Sequence, residues 1–474
     1  MSVVIIEDTL SYIAANVAYT AVVVSILLVA FAWRFITHQL KRRVFVEDFY
    51  CYQPSKDSHH TAQDIFDNVI MELNVSDGNK AFLGKMMMRS GLGNDTSAPH
   101  NMMNKDFSAA SNHREMELYL ESAMDGLLAR TGMNAKDIDF LVVNCSCYCP
   151  TPSMTAWIVN HYKMPSKVRT FQIGGMGCSA SMIGVDLIND LLKANPGKNA
   201  VLVSTEVLTS QMYHGEDPSY SLQGALFRSG AAAILFSGKK TRMSRYEVLH
   251  CIRTHHGRRD DAHNCILLQE DPQGYRGVRL NKEIPKVAGK AIEENMTRLG
   301  EAMLPLSEKL KFIWINMVLR KALGRTKVAM YQPDFKKVIH SYCIHTGGRG
   351  VIDTVEKNLR LSPEHVEASR ATLYQYGNTS SSSVWYELAY LEQHKLTRPG
   401  HVIWQIAFGS GFKANSCVLK ALPGCKKNPV DFNVHNPTWR YSKETCPPPT
   451  LEFPPNITAC IEAHRAQKAA AGSQ

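Results

Sequence analysis

Chemistry in this chain of 474 residues starts at one cysteine. Cys178 lies in the stretch Gly174-Gly175-Met176-Gly177-Cys178-Ser179-Ala180. Before it, residues 168–173 read as a buried strand, and after it residues 179–192 read as a helix. A thiol at such a turn sits at a helix N-terminus, where the partial positive charge favours thiolate. The glycines permit a sharp turn and close approach by a substrate. Two further loops follow strand-like runs and can converge on the same place. One carries His345 and the other Asn378. Each residue also has a purely structural reading. Buried cysteines are commonly inert, the chain has 18 histidines, and an asparagine beside glycine is an ordinary turn residue. The run 379–383 reads as N-cap and first-turn residues of the helix that follows.

The elements that must position these loops alternate between strand and helix, which argues for a layered α/β fold. Residues 44–52 read as a strand and 77–112 as a long, adaptable loop region containing Met86, Met87 and Met88. A helix over 115–131 stops at Gly132. Strands follow at 138–144 and 199–205, with a short helix at 153–162, and 230–236 closes the first half. The second half shows a strand at 337–345, helices from 350 and from 362, a strand at 371–376, a helix at 383–396 and a strand at 401–408. No residue-level self-similarity links the halves. The division expected is 1–43 as an anchor, 44–240 and 241–424 as two halves, and 425–474 as a polar, Pro-rich tail that is extended or disordered.

Composition is that of a globular chain with an added apolar segment, 45% hydrophobic and 20% charged. The net charge of +10 suits anionic small molecules, a membrane surface or nucleic acid. Nucleic acid is set aside, because no zinc finger, RNA-binding aromatic signature or long basic run is present. Cys145, Cys147 and Cys149 alternate, which on a strand sends all three to one face. That spacing is poor for a metal site, so free thiols in a reducing compartment are expected and no metal is assigned. Residues 11–33 lack charge and are long enough to span a bilayer. Arg34, Lys41, Arg42 and Arg43 follow, so the positive-inside rule keeps the rest in the cytosol. Residues 304–329 mix Lys309, Lys311, Arg320, Lys321 and Arg325 with Phe312, Ile313, Trp314, Ile315 and Met317. They read as a basic amphipathic segment lying on a membrane.

Several long stretches together resemble one family. They are Val46-Glu47-Asp48-Phe49-Tyr50-Cys51-Tyr52-Gln53-Pro54, Arg89-Ser90-Gly91-Leu92-Gly93, Leu141 to Ser146, Gly174 to Ala180 and Leu226-Phe227-Arg228. Further on come Arg253-Thr254-His255, Cys343-Ile344-His345-Thr346-Gly347-Gly348-Arg349, Gly377 to Ser383, Trp385 to Tyr390 and Trp404 to Lys413. In this order they resemble plant-type very-long-chain 3-ketoacyl-CoA synthases, the condensing enzymes of fatty acid elongation.

The resemblance implies a thiolase-like fold of two related halves in five α-β-α-β-α layers, behind an N-terminal transmembrane helix. It implies a catalytic set of Cys178, His345 and Asn378, acting on long-chain acyl-CoA and malonyl-CoA without a cofactor. Backbone N–H groups around Gly177–Cys178 and Gly411 would form the oxyanion site, and His255 is a possible additional residue. A homodimer, contact with membrane lipid, partnership with the reductases and dehydratase of elongation, and a place in the endoplasmic reticulum membrane facing the cytosol are also implied. Three departures stand out. The family generally shows two N-terminal membrane segments where one is found here. Some members carry histidines where this chain has Tyr374 and Ser341, with His340 one place off. Alternatives are a type III polyketide synthase-like condensing enzyme and a non-catalytic scaffold of an elongase complex. Acyl chain-length preference is not readable, and Met86–Met88 and 212–222 are the candidate tunnel walls.

Overall fold

Strands buried on both faces carry near-continuous apolar runs, and this chain has several. The computed structural model describes residues 17, 19–34, 42–325, 327–426, 439–441 and 446–471. Its main sheet has nine strands: β1 (Val44–Cys51), β4 (Phe140–Asn144), β5 (Arg169–Ile173), β6 (Asn199–Glu206), β7 (Gly230–Ser237), β8 (Tyr246–His255), β11 (Ser341–Ile344), β12 (Val402–Gly409) and β13 (Lys413–Ala421). Two small hairpins, β2 (His59–Thr61) with β3 (Asp95–Ser97) and β9 (Ile266–Glu270) with β10 (Arg276–Leu280), stand apart. The order is β11-β12-β13-β8-β1-β7-β6-β4-β5. Strands up to residue 237 lie on one side and strands from 246 on the other, joined where Val44–Val46 pairs antiparallel with Tyr246–Val248.

Strand alternation sorts the side chains into separate cores. On one face Leu141, Val143, Val201 and Val203 meet Met116, Leu120 and Leu127 of helix α1 (Ala109–Thr131). On the other face Val142, Leu202 and Ile234 meet α2 (Ala180–Ala194) and α3 (Ser383–Gln393). In the second half Ile403, Ala407 and Leu419 face these same two helices. Trp404, Ile406 and Val418 face outward, onto Val287, Leu299 and Ile352. Helices α2 and α3 are thus the middle of five layers. Every residue of α3 from Ser383 to Glu392 is buried, which is why its sequence is apolar nearly all round. Trp385 Nε1 donates to Ser181 Oγ at 2.7 Å, tying the two central helices together. At the seam between the halves, buried Arg245 pairs with Glu392, whose carboxylate also accepts from Tyr246 at 2.6 Å.

Several local expectations are corrected. Region 77–112 is ordered: a helix over Asp77–Arg89 is capped by Ser76, and a short helix spans His100–Met103. Ala81, Leu83 and Met87 of the first helix are buried, and so is Asn79, whose amide donates to the Gly215 carbonyl. Residues 371–376 are helix, the end of Pro363–Tyr376, because a proline at the first turn and a Ser362 capping box start a helix that nothing interrupts before Gly377. The tail ends in a helix over Pro455–Ala471, held by burial of Ile457 and Ile461. The predicted buried strand at 168–173 is an edge strand whose Arg169 and Thr170 are exposed. The strand before the three alternating cysteines ends at Asn144, so they lie in a loop, with Cys145 buried and Cys149 exposed.

The expected membrane segment 11–33 falls partly outside the described residues. Within them, residues 19–34 are helical and carry exposed Ile26, Leu27, Phe31 and Trp33. Among the described residues no helix is long and apolar enough to cross a membrane.

Candidate active site

Cys178 stands in a single 3-10 turn, Gly177–Ser179, between edge strand β5 and α2. Gly175 and Gly177 both have φ of 65°. At Gly177 a Cβ would lie 2.6 Å from the backbone nitrogen of Ser410, so only glycine allows the cysteine turn to rest on the Gly409–Gly411 loop. Ser410 Oγ donates to the Gly175 carbonyl at 3.4 Å, and Asn415 Nδ2 donates to Ser179 Oγ at 2.9 Å. Gly177 and Gly411 therefore belong to two loops in contact beside the thiol.

His345 follows β11 directly, and its N–H continues the parallel pairing to the Ile406 carbonyl at 2.9 Å. Its Nδ1 is 2.9 Å from Ser383 Oγ at the start of α3. Asn378 follows Gly377, whose φ is 69° and whose Cβ would strike the Arg228 side chain. The Asn378 main chain is held on both sides, its N–H by Leu226 and its carbonyl by the Arg228 N–H at 3.0 Å. Both side chains are buried, His345 at 4% and Asn378 at 2% exposure.

One residue joins the three. Ser380 sits in the left-handed region with φ of 55°, which is rare for a residue with a Cβ. Its N–H donates to Asn378 Oδ1 at 2.9 Å. That bond fixes the amide: the oxygen points at Ser380 and Nδ2 points away as a donor. The Ser380 main chain is placed to favour the protonated form of the His345 ring, and its hydroxyl to favour ionisation of the Cys178 thiol. The same hydroxyl donates to Glu206 Oε2 at 3.1 Å.

Glu206, the last residue of β6, is buried with no cation on it among the described residues. Its Oε1 accepts from the N–H groups of Ser146 at 2.9 Å and Cys147 at 2.7 Å, and from Cys145 Sγ. Sequence reasoning missed Glu206 and the separate role of Ser380. A signal existed: a carboxylate closing the C-terminal end of an apolar strand is where α/β sheets place ligands. The serine run, read as caps, turns sideways instead. Ser381 accepts from Asn144 at 2.6 Å and Ser382 donates to the Thr379 carbonyl, while Ser383 meets His345.

Burial governs the charge states. It pushes His345 down to about 3, so the imidazole is neutral and a weaker base than a free histidine while the site is empty. It also pushes the Cys178 thiol up to about 12, with Glu206 adding to the rise and the Ser380 hydroxyl opposing it. Burial thus works against the thiolate expected at the helix N-terminus while the site is empty. Cys178 is half-buried, and desolvation is the largest cause of its raised pKa.

His255 ends β8 opposite Lys413, is exposed, and accepts the Gly257 N–H on Nδ1 at 3.0 Å. Burial and then Lys413 lower its pKa. It lies on the Gly411 side and is not bonded to the Ser380 centre. His340 stacks on His401 at the opposite end of β11, and its Nδ1 accepts from Val402.

Residues 36–322 match the family model described as FAE1/Type III polyketide synthase-like protein. Residues 284–423 match the C-terminal domain of chalcone and stilbene synthases. The chain is 44% identical to 3-ketoacyl-CoA synthase 4 of Arabidopsis thaliana, over 80% of this chain and 74% of that protein. It is 42% identical to 3-ketoacyl-CoA synthase 11 of the same plant, over 88% and 83%. Among solved structures, the type III polyketide synthase domain of Steely1 from Dictyostelium superposes with a TM-score of 0.62 at 19% identity, over 80% of this chain and 99% of that domain. PKS-I from Ectocarpus siliculosus gives 0.62 at 20% identity, over 80% and 98%.

Proposed function

We infer the reaction from one premise: the chain belongs to the FAE1/type III polyketide synthase-like family and, within it, to the 3-ketoacyl-CoA synthases. It is a condensing acyltransferase that joins an acyl-CoA to malonyl-CoA, giving a 3-ketoacyl-CoA, CO2 and CoA. The observation that carries the assignment of roles is the Ser380 hub, which gathers a thiol, a neutral imidazole and an amide of fixed orientation.

In this reading Cys178 loses its proton to His345 and attacks the acyl-CoA carbonyl. The C–S bond to CoA breaks, and the CoA thiolate leaves with the proton. Malonyl-CoA then enters and loses CO2, and the electron pair of the broken C–C bond becomes an enolate. Asn378 Nδ2 and His345 donate to the enolate oxygen, charge stabilisation worth about 10² or more in rate per donor. The enolate carbon attacks the acyl thioester, and backbone N–H groups of the Cys178 turn and the Gly411 loop hold the tetrahedral oxyanion. Collapse of that intermediate frees the Cys178 thiolate, which is reprotonated.

The very-long-chain range and the setting at the endoplasmic reticulum membrane, catalytic part toward the cytosol, are part of the proposal. They are supported by the apolar run 11–33 with its basic flank. A second support is the exposed apolar surface of Leu310, Ile313, Trp314 and Met317 beside Lys309, Lys311 and Lys321. Partnership with elongation reductases and a dehydratase follows from the product, a 3-ketoacyl-CoA that must be reduced and dehydrated. A homodimer is supported by the open edge strand β5.

The test incubates membranes carrying the protein with a long-chain acyl-CoA and labelled malonyl-CoA. Acyl mass on Cys178 and one two-carbon extension are expected, both lost in Cys178→Ala. Several successive extensions followed by cyclisation would favour a polyketide synthase, and neither signal would leave a scaffold.

A further inference from the structure

Buried charges are normally paired, because an isolated one is costly to desolvate. Arg228 is 3% exposed, and among the described residues no carboxylate pairs with it. Its Nε donates to Thr96 Oγ1 at 2.9 Å, and its Nη1 donates to the carbonyls of Phe227 at 2.7 Å and Ala225 at 3.4 Å. Those carbonyls lie at the end of the helix Pro218–Leu226, whose partial negative charge favours a cation. Burial lowers the Arg228 pKa to about 10, which leaves the guanidinium charged at neutral pH.

The side chain is packed against the Asn378 turn. A Cβ at Gly377 would lie 2.5 Å from Arg228 Cγ and 3.0 Å from its Cβ, so the turn rests on the aliphatic stem. The Arg228 N–H holds the Asn378 carbonyl at 3.0 Å, and Phe227 forms a parallel bridge to Asn378. Thr346, the residue after His345, donates its hydroxyl to the Gly377 carbonyl at 3.0 Å. Asn378 Oδ1 is already taken by the Ser380 N–H, so the aim of Nδ2 follows the position of this main chain. Within that frame Arg228 is anchored at its far end, on Thr96 of strand β3 and on the helix carbonyls.

We propose that Arg228 is a positioning residue for the decarboxylation step: its anchored side chain holds the Gly377–Asn378 turn where Asn378 Nδ2 meets the enolate oxygen. The proposal rests on Asn378 as an enolate donor. The guanidinium is the part that matters, because its hydrogen bonds fix the stem in one conformation. Without it Thr96 Oγ1 and both carbonyls lose a buried donor, and nothing pins the stem under Gly377. Acylation of Cys178 does not use Asn378, so the effect falls on the second half-reaction and not on the first.

The test uses the full chain in membranes and reads acyl mass on Cys178 and CO2 released from labelled malonyl-CoA as separate rates. Arg228→Met keeps an aliphatic stem beside Gly377 and removes the guanidinium. The ratio of CO2 release to acylation is expected to fall by about 10², the cost of misplacing a group at the reacting centre by about 1 Å. The decisive comparison is with Asn378→Ala. If Arg228 acts through Asn378, the double variant Arg228→Met/Asn378→Ala releases CO2 within about threefold of Asn378→Ala alone, whereas independent effects multiply. Multiplied losses, an equal fall in acylation and CO2 release, or a wild-type ratio in Arg228→Met each overturn the proposal while leaving the Asn378 role intact. Wild-type CO2 release in Asn378→Ala overturns that role and the proposal with it. Where Arg228→Met does not fold, Thr96→Val removes the Nε acceptor alone. Its ratio then falls by about tenfold, the worth of one hydrogen bond to a charged group, and an unchanged ratio overturns the proposal.

Discussion

Replacing Asn378 with aspartate tests the amide orientation with almost no change in shape. Ser380 N–H donates to Asn378 Oδ1, and a carboxylate oxygen accepts that bond equally well, so the loop keeps its geometry. The change is confined to the other atom, where a donor aimed at the enolate becomes an acceptor bearing charge. Loss of one oxyanion donor raises the barrier by about 3–4 kcal/mol. Repulsion between the new carboxylate and the enolate adds about 4 kcal/mol at a separation of about 4 Å and an effective dielectric of about 20. The sum, about 7 kcal/mol, predicts a fall of about 10⁵ in condensation. Burial raises the pKa of a carboxyl group, and the protonated form can donate, so the deficit shrinks as pH falls. The assay follows acyl mass on Cys178, release of labelled CO2 from malonyl-CoA, and 3-ketoacyl product as separate readouts. Acylation of Cys178 stays near wild type while CO2 release and product fall together. Condensation within tenfold of wild type, or an equal loss of acylation, refutes the orientation argument.

Other perturbations probe neighbouring parts. Glu206→Ala strips the acceptor from the Ser146 and Cys147 N–H groups and the Ser380 hydroxyl, at about 1–3 kcal/mol for each donor left unpaired, and thermal unfolding should show a large drop. Glu206→Gln keeps an acceptor but removes the charge that raises the Cys178 pKa, so iodoacetamide labelling of Cys178 at about pH 8 becomes faster, and an unchanged rate counts against that coupling. Gly177→Ala forces a Cβ against the Ser410 nitrogen and into an unfavourable φ, so condensation is expected to fall by at least about 10² with the protein still folded by circular dichroism; full activity would mean the two loops are not held as described. Glu308 is held down to about 2 by Lys337 and then Tyr331. Because the folded value lies below the ordinary 4.5, its stabilisation is complete above about pH 4.5 and fades as pH falls toward 2. Hydrogen exchange in 306–331, corrected for intrinsic rates, should quicken over that window, and a Lys337→Met variant should show the faster exchange at higher pH.

The proposed trio of Cys178, His345 and Asn378 was named through the family resemblance, since each residue taken alone also admits a structural reading. Glycines surround Cys178, His345 follows an apolar strand, and Asn378 follows the glycine that closes a helix. Chain-local rules also placed most strands of the sheet, since runs such as 140–144, 199–206 and 230–237 are apolar on both faces and have few other places to go. Local rules failed where partners far along the chain decide. Region 77–112 and the C-terminal helix stabilise each other in one cluster that holds Ala81, Leu83 and Met87 with Ile457 and Ile461, and neither segment's own composition announces it. The serine run 380–383 reads as caps until Glu206, Asn144, Ser204 and His345 are brought beside it. What the sequence by itself determined was which side chains can react, because residue type and local turn chemistry are written in order. What only the tertiary structure decided was their charge and aim. Desolvation and hydrogen bonding depend on atoms hundreds of residues away: Glu206 facing Ser380, and Ser380 turned by its left-handed backbone so that one residue meets Cys178, His345 and Asn378 together.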